Sequence, residues 1–169
     1  MIRNLLIRAL LPGAVFLAVA CASPGSNRTG GEGISVYQKR VGQATRGDLA
    51  KKTRLIFDRY QFRMAREDSS VSQQFLQSRW EGRFPLQDEL DSGVVEVQTR
   101  LTVRARARGA GSRGVADTRI VQLTIENMVR MAADVTWKRG FMTPMFLAYA
   151  DRIAEDLKTE LIQGVRIFE

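Results

Sequence analysis

The stretch from Val95 to Arg108 constrains the fold more than any other feature, because apolar and polar residues alternate along it. A period of two residues matches a β-strand, in which successive side chains point to opposite faces of the sheet. One side carries Val95, Val97, Leu101, Val103, Ala105 and Ala107, and the other carries Glu96, Gln98, Arg100, Thr102, Arg104, Arg106 and Arg108. We therefore expect a long strand with one face toward a core and an arginine-rich face toward solvent.

Residues 57–65, 75–84 and 118–131 show the same alternation and predict three further strands. The stretch Asp68-Ser-Ser and the glycine-rich stretch Arg108–Gly114 have the composition of turns. The inward apolar residues of these strands are Tyr60, Phe62, Met64, Leu76, Trp80, Phe84, Val121, Leu123, Ile125 and Val129. Consecutive strands joined by turns predict antiparallel hairpins.

Helical signals lie on both sides of the strands. Residues 34–56 are expected to be helical in part, with Asp48 as an N-cap. A second helix begins after Thr143, a natural N-cap, with Pro144 in the first helical position and Gly164 at its end. Its stripe at helical spacing consists of Phe146, Tyr149, Ala150, Ile153, Leu157 and Leu161.

These elements together predict the fold class. An antiparallel sheet with one apolar face needs a cover, which two amphipathic helices supply. We expect an α+β domain over residues 34–169, a four-stranded antiparallel meander covered on one face by two helices, in the order α-β-β-β-β-α.

The composition excludes several kinds of active site. The chain has 169 residues, a formal net charge of +8 and no histidine. Without histidine it cannot form a Ser-His-Asp triad, a Cys-His pair or a histidine-ligated zinc site. The basic residues are mostly arginine, which suits recognition of carboxylates or phosphates, although a GC-rich coding sequence would produce the same bias.

The first twenty residues have the pattern of an export signal. Arg3 and Arg8 precede an uncharged apolar run from Ala9 to Ala20, which Pro12 interrupts. That run is shorter than the roughly 20 residues that a membrane-spanning helix requires. The alternatives are an ordinary signal peptide that leaves a free thiol at Cys21, or a lipoprotein signal.

The stretch Ala18-Val-Ala-Cys21 resembles the lipobox of bacterial lipoproteins, although that family more often has leucine where Ala18 stands. The resemblance implies a signal peptide over residues 1–20, cleavage before Cys21, and acyl chains on the cysteine. Ala22 implies sorting to the outer membrane, facing the periplasm. Residues 21–33 are small and polar and predict a flexible lipidated tether about 20 Å long. Export excludes nucleic acid as a partner.

Arginines of the predicted strands are the candidate binding residues. If the hairpins pair in simple register, one face would carry Arg63, Arg79, Arg83, Arg100, Arg104 and Arg106. Such a face would attract an anionic lipid, a glycolipid or an acidic envelope protein. The alternative is a solvated sheet face whose charges prevent edge-to-edge pairing.

Two groups of carboxylates do not predict a metal or catalytic site. Asp88, Glu89 and Asp91 lack the alternating ligands and central glycine of a calcium loop. The carboxylates at 151, 155, 156 and 160 lie off the apolar stripe of the last helix. We therefore expect no metal, no cofactor and no catalytic residue.

In element order, the chain is similar to small envelope lipoproteins, such as the lipoprotein subunit of the lipopolysaccharide-assembly translocon and the accessory lipoproteins of the barrel-assembly machinery. The resemblance implies a non-enzymatic accessory or scaffold lipoprotein that docks an envelope complex or an anionic glycolipid. The alternative is a carrier that holds a lipid or small apolar ligand in a cavity between the sheet and the helices. An envelope hydrolase is disfavoured by the absence of histidine.

The Cys21→Ser substitution tests the lipid anchor. Several acyl chains hold a protein on a bilayer almost permanently, since each buried methylene contributes about 0.8 kcal/mol. We expect the variant to be released from membranes or to remain unprocessed, as measured by membrane fractionation and by mass. A variant that stays membrane-bound at the wild-type mass would contradict the lipobox interpretation.

Overall fold

The computed structural model describes residues 36–107 and 118–165. The predicted signal peptide (1–20), Cys21, the tether (21–33) and the glycine-rich turn (108–114) lie outside these residues. The described elements are β1 (Val36–Ala44), α1 (Arg46–Arg59), β2 (Met64–Ser69), β3 (Gln73–Ser78), β4 (Glu81–Arg83), α2 (Gln87–Asp91), β5 (Val94–Ala107), β6 (Arg119–Met131), β7 (Lys138–Arg139) and α3 (Pro144–Val165).

The strands form one antiparallel sheet, which confirms the α+β class. The described residues contribute seven strands to the sheet, so the prediction of a four-stranded meander is wrong. Five strands lie in the order β1-β6-β5-β3-β2, while β4 pairs with β5 and β7 pairs with β6. The four expected segments are adjacent in this order, and β1 extends the sheet beyond β6.

The hairpin of β5 and β6 is the centre of the sheet. Its register extends from Val94 opposite Met131 to Ala107 opposite Arg119. The expected inner residues Leu101, Val103, Leu123 and Ile125 are buried, as the alternation predicts. Val95 is an exception with 46% exposure, because the register shifts between Val94 and Glu96. This irregularity turns Val95 out of the core.

The segment before α1 is the strand β1, which was not predicted within residues 34–56. A β-bulge between Arg40 and Gly42 interrupts the period of two, and Gly42 adopts a φ of 138° that favours glycine. As a result, the buried residues Tyr37, Val41 and Ala44 follow one another at helical spacing. The sequence of β1 therefore shows no period of two, whereas the helical part expected within residues 34–56 is confirmed by α1.

The N-cap of α1 is Thr45, three residues before the predicted cap Asp48. The Thr45 hydroxyl accepts a hydrogen bond from the Asp48 backbone N–H at 3.2 Å and donates to the Asp48 carboxylate at 2.8 Å. The helix then continues through Phe57 to Arg59, so the strand expected from residue 57 is also wrong there. Burial of Ile56 and Phe57 against the sheet favours the helix.

The second expected strand is divided into β3 and β4 at Arg79 and Trp80. β3 pairs with the second half of β5, and β4 pairs with its first half. The inner face of β3 contains Gln74, Leu76 and Ser78, which are all buried. The expected acidic loop contains the short helix α2.

Helix α3 begins as its sequence predicts. The Thr143 hydroxyl accepts a hydrogen bond from the Phe146 backbone N–H at 3.2 Å. The helix continues through Gly164 to Val165, beyond the expected stop. Its buried stripe contains Phe146, Ala150, Ile153, Ala154, Leu157 and Leu161. Burial of each large side chain contributes roughly 1.5–3 kcal/mol, so this stripe is a major part of the core.

Polar contacts join α3 to its neighbours. The Tyr37 hydroxyl donates to Asp151 at 2.6 Å, and Arg59 donates to Glu160 at 2.8 Å. The Tyr60 hydroxyl donates to Asp156 at 2.9 Å. The carboxylates of α3 therefore fasten β1 and α1 to this helix. Within residues 36–107 and 118–165, no helix combines the length and apolar character required to cross a membrane.

The three tyrosines of the chain predict how its stability depends on alkaline pH. Burial and the Asp151 hydrogen bond raise the pKa of Tyr37 far above its ordinary value, and burial and Asp156 raise the pKa of Tyr60 to about 12. Burial also raises the pKa of Tyr149, against the opposing charge of Arg83. The unfolded chain therefore releases these protons first, and the free energy of unfolding falls as the pH rises above about 10.

Tyrosinate absorbance measures this effect. We expect the native chain to show almost no tyrosinate near pH 10, whereas the same chain in concentrated urea titrates near the ordinary tyrosine pKa of about 10. Tyrosinate absorbance that appears near pH 10 while the circular dichroism remains native would contradict the buried arrangement.

Candidate functional site

The outer face of the sheet, opposite α1 and α3, is the candidate binding surface. Its centre is the alternate residues Arg100, Thr102, Arg104 and Arg106 of β5, whose neighbours on β5 point into the core. Cross-strand neighbours extend this face, and they include Arg40, Arg66, Gln77, Gln122, Thr124 and Glu126. Among the described elements, the helices pack on the other side of the sheet.

Three of the six candidate arginines share this outer face, namely Arg100, Arg104 and Arg106. The other three do not belong to it. Arg63 lies before β2 and forms an ion pair with Glu81 at 2.8 Å, and Arg79 is exposed between β3 and β4. Their positions outside the strands explain why simple alternation misplaced them.

Arg83 points to the helix side of the sheet, so the expectation that it shares the arginine face is wrong. Its β4 position lies opposite Val97, an inner residue of β5. The guanidinium lies over the rings of Phe146 and Tyr149, 5.6 and 5.5 Å from their centroids. The division of the expected second strand into β3 and β4 separates this arginine from the outer face.

Sequence reasoning missed Arg40 and Arg66, which also lie on the outer face. Arg40 belongs to β1, which was expected to be helical. Arg66 has the parity of the expected inner residues, but a register shift between Met64 and Arg66 moves it to the opposite face. A bulge leaves no clear mark in a single sequence. The outward direction of Arg66 therefore could not be predicted without knowledge of the strand with which β2 pairs.

The outer face has an excess of positive charge. Arg100 is paired with Glu126 at 2.7 Å, and Arg66 is paired with Asp68. Among the described residues, no carboxylate lies within ion-pair distance of Arg40, Arg104 or Arg106. These three guanidinium groups therefore retain donors for an anionic partner.

Aromatic rings support several of these arginines. The guanidinium carbons of Arg66 and Arg104 each lie 5.2 Å from the centroid of the Phe75 ring, and that of Arg100 lies 4.4 Å from Trp80. Trp80 was expected in the core but is half-buried on the outer face. Stacking restricts the long side chains, which lowers the entropy lost on binding, and Arg104 keeps its edge N–H groups available because it has no carboxylate partner among the described residues.

A buried polar network occupies the opposite side of the sheet. Arg83 donates to both oxygens of Glu89, at 2.6 and 2.8 Å, and side-chain exposure is 14% for Arg83 and 2% for Glu89. Glu89 also accepts from the Leu86 backbone N–H at 2.8 Å and from the Asn127 side-chain amide at 3.0 Å. This network joins β4, α2 and β6 to the base of α3, which indicates a structural role.

The acidic residues around Glu89 are also engaged. Asp88 accepts a hydrogen bond from the Met145 backbone N–H at 2.8 Å, at the first turn of α3, and Asp91 accepts one from Gln87. Within the described part of the chain, no three potential metal-ligating side chains are grouped together. Asp88 therefore connects α2 to the first turn of α3, whereas the Asp91 contact lies within α2.

An open groove lies beside β4. Its volume is about 690 Å³, and its walls include Tyr60, Phe62, Arg83, Phe84, Trp137 and Tyr149. The space between the helices and the centre of the sheet is instead occupied by packed apolar side chains. An apolar ligand could therefore bind in the groove at the margin of the sheet, but not between the sheet and the helices.

Comparison with known proteins finds no family model that matches the chain and no significantly similar curated protein.

The buried pair of Arg83 and Glu89 predicts a large effect for a small substitution. Glu89→Gln leaves the Arg83 charge without its carboxylate inside the fold, and loss of one partner of a buried pair costs about 3 kcal/mol. Urea denaturation measures the change in the free energy of unfolding. The matched control is Glu67→Gln, because Glu67 pairs with Arg54 at the surface, where such pairs contribute at most about 1 kcal/mol.

Equal effects of the two substitutions would contradict the structural role of the network. Since Arg83 points away from the outer face, folded Glu89→Gln protein should retain any binding that this face provides.

Proposed function

We propose that the chain is a non-enzymatic lipoprotein of the bacterial cell envelope, anchored to the outer membrane through Cys21 and facing the periplasm. Its folded domain docks an envelope protein complex or an anionic glycolipid through the outer face of the sheet. The observation that carries the proposal is the uncovered sheet face with guanidinium groups that lack a carboxylate partner among the described residues.

The chemistry of the outer face suits a carboxylate- or phosphate-bearing partner. Arginine binds both groups through paired N–H donors, and Gln122 and Thr124 on the neighbouring strand β6 add uncharged hydrogen-bonding groups. Arg104 and Arg106 are both exposed, so they can reach a partner without rearrangement of the sheet.

A docking function agrees with how the chain uses its other charged groups. The carboxylates of α3 pair with Lys39, Lys52 and Arg59, and Glu89 pairs with Arg83. A general acid or base has to face a substrate with a suitably placed pKa, whereas these groups face neighbouring basic side chains. With no histidine in the sequence, the arrangement favours binding over catalysis.

A second candidate function uses the groove beside β4. Its volume of about 690 Å³ lies within the range of small-molecule sites, and its aromatic walls suit an apolar ligand. This would be a carrier of a lipid or small apolar molecule. The docking function is favoured because the groove is open to solvent, and a carrier has to exclude water from its cargo.

Charge reversal on the outer face tests the docking function. The double variant Arg104→Glu and Arg106→Glu places two carboxylates among the remaining arginines, so we expect loss of the crosslinked envelope partner and loss of salt-sensitive binding to lipopolysaccharide vesicles. The fold should survive, since the Arg104 contact with Phe75 is exposed and contributes about 0.5–1 kcal/mol.

The matched control is Lys51→Glu and Arg152→Glu, which makes the same change in net charge on the exposed sides of α1 and α3. This control should bind as the wild type does. Affinity purification after crosslinking in the envelope reports a protein partner, and vesicle sedimentation reports a glycolipid. Unchanged binding of the outer-face variant in both measurements would refute the proposal.

A further inference from the structure

Four of the ten exposed large apolar side chains among the described residues lie at one end of the sheet. We define the apolar tip as Phe84, Leu90, Val95 and Val135, which are 94%, 47%, 46% and 90% exposed, together with the partly buried Trp137. Large apolar side chains in solvent are unfavourable, and a group of them marks a surface that contacts another apolar phase. The turn at the opposite end of the sheet exposes Val71, at 86%.

Strand pairing places the members of the tip together. β5 begins at Val94 opposite Met131, where β6 ends, so Val95 and the following loop with Val135 lie at the same end. Phe84 follows Arg83, which lies opposite Val97, and Leu90 belongs to α2 just before β5. Trp137 precedes Lys138, which pairs with Val129.

Two ion pairs lie around the tip. Arg130 pairs with Glu96, and Lys138 pairs with Asp134 at 2.7 Å, while the exposed Arg139 has no ion pair among the described residues. The tip therefore carries less excess charge than the outer face, and its binding to an uncharged apolar phase would depend little on salt.

The first described residue, Val36, lies within reach of this tip. Val36 pairs with Glu126 of β6, and β7 occupies the same edge of β6 farther along, at Met128 and Val129. Five residues of β6 separate Glu126 from Met131, which is about 17 Å at roughly 3.4 Å per residue. The tether expected from the composition of residues 21–33 is about 20 Å long, so Cys21 can reach a plane level with the tip.

We propose that the apolar tip inserts into the interface of the bilayer that holds the acyl chains of Cys21. The sheet then stands upright on the membrane, with Phe84, Val135 and Trp137 among the lipid headgroups and upper acyl chains. This inference rests on the lipid anchor of the proposed function.

The upright arrangement also sharpens the choice of partner. Arg104 lies ten residues along β5 from Val94, which is about 34 Å from the tip at roughly 3.4 Å per residue. That distance places the arginines beyond the headgroups of the supporting leaflet. They would then face an acidic protein surface in the periplasm.

The two tryptophans of the chain provide a matched pair of reporters. The full-length protein is purified from membranes in detergent and reconstituted into phosphatidylcholine vesicles with brominated acyl chains, which quench tryptophan on contact. In the Trp80→Phe variant only Trp137 emits, and we expect its emission to be lost and its maximum to shift to the blue. In the Trp137→Phe variant Trp80 emits, and we expect no quenching because it lies at the level of Arg100.

Substitutions at the tip distinguish insertion of its side chains into the bilayer from simple proximity of the tip to the membrane. Phe84→Ser with Val135→Ser should restore the emission of Trp137, and Val71→Ser at the opposite end should leave the quenching unchanged. These side chains are at least 86% exposed, so the substitutions remove little internal packing.

Each outcome of flotation and quenching has one meaning. Flotation without quenching of Trp137 overturns insertion of the tip and leaves the lipid anchor intact, as does equal quenching of both tryptophans. Quenching of Trp137 in a Cys21→Ser protein that floats equally well supports the tip and refutes the anchor. Failure of the wild-type protein to float refutes both, and a crosslinked homodimer with unquenched Trp137 assigns the tip to a second copy instead.

Discussion

The long pairing of β5 with β6 is the interaction on which the rest of the structure depends. It extends from Val94 and Met131 to Ala107 and Arg119, and it supplies both surfaces of the sheet. Its inner residues, including Leu101 and Ile125, form the apolar surface against which α1 and α3 pack. Its outer residues carry the arginines. Because side chains alternate between the faces from Glu96 onward, the same backbone hydrogen bonds hold the core and present the candidate binding surface.

Charged side chains have two distinct uses in this chain. On the helix side they join elements, since Arg59 and Lys52 meet Glu160, and the Arg83–Glu89 pair joins β4 to α2. On the outer face, Arg104 and Arg106 meet no carboxylate among the described residues. Arginine therefore has a structural role on the helix side and is available for a partner on the outer face. The direction of the side chain determines which of the two roles it has.

In the proposed arrangement, the apolar tip contacts the membrane and the outer face of the sheet contacts a protein partner. The tip near Val135 is apolar, the outer face near Arg104 is cationic, and the two lie at different heights along β5. A hydrophobic contact is insensitive to salt, whereas an arginine contact weakens as ions screen it. Membrane attachment and partner binding would then be separable within one small domain.

Several elements could be read from the sequence alone. The alternation in β5 and β6 determined two long strands and their inner residues, and Thr143 with the apolar stripe of α3 determined the last helix. These signals are local, since strand and helix periods act over neighbouring residues. The antiparallel α+β class followed from them.

Only the tertiary structure decided the strand β1, the number of strands and the arginines that share a face. Bulges at Gly42, between Met64 and Arg66, and between Val94 and Glu96 each move the following side chains to the opposite face. Arg83 turned inward because Glu89, Asn127 and the rings of α3 converge on it from distant parts of the chain. A shift of one residue in register reverses the direction of a side chain, and that register is set by partners that a single sequence does not identify.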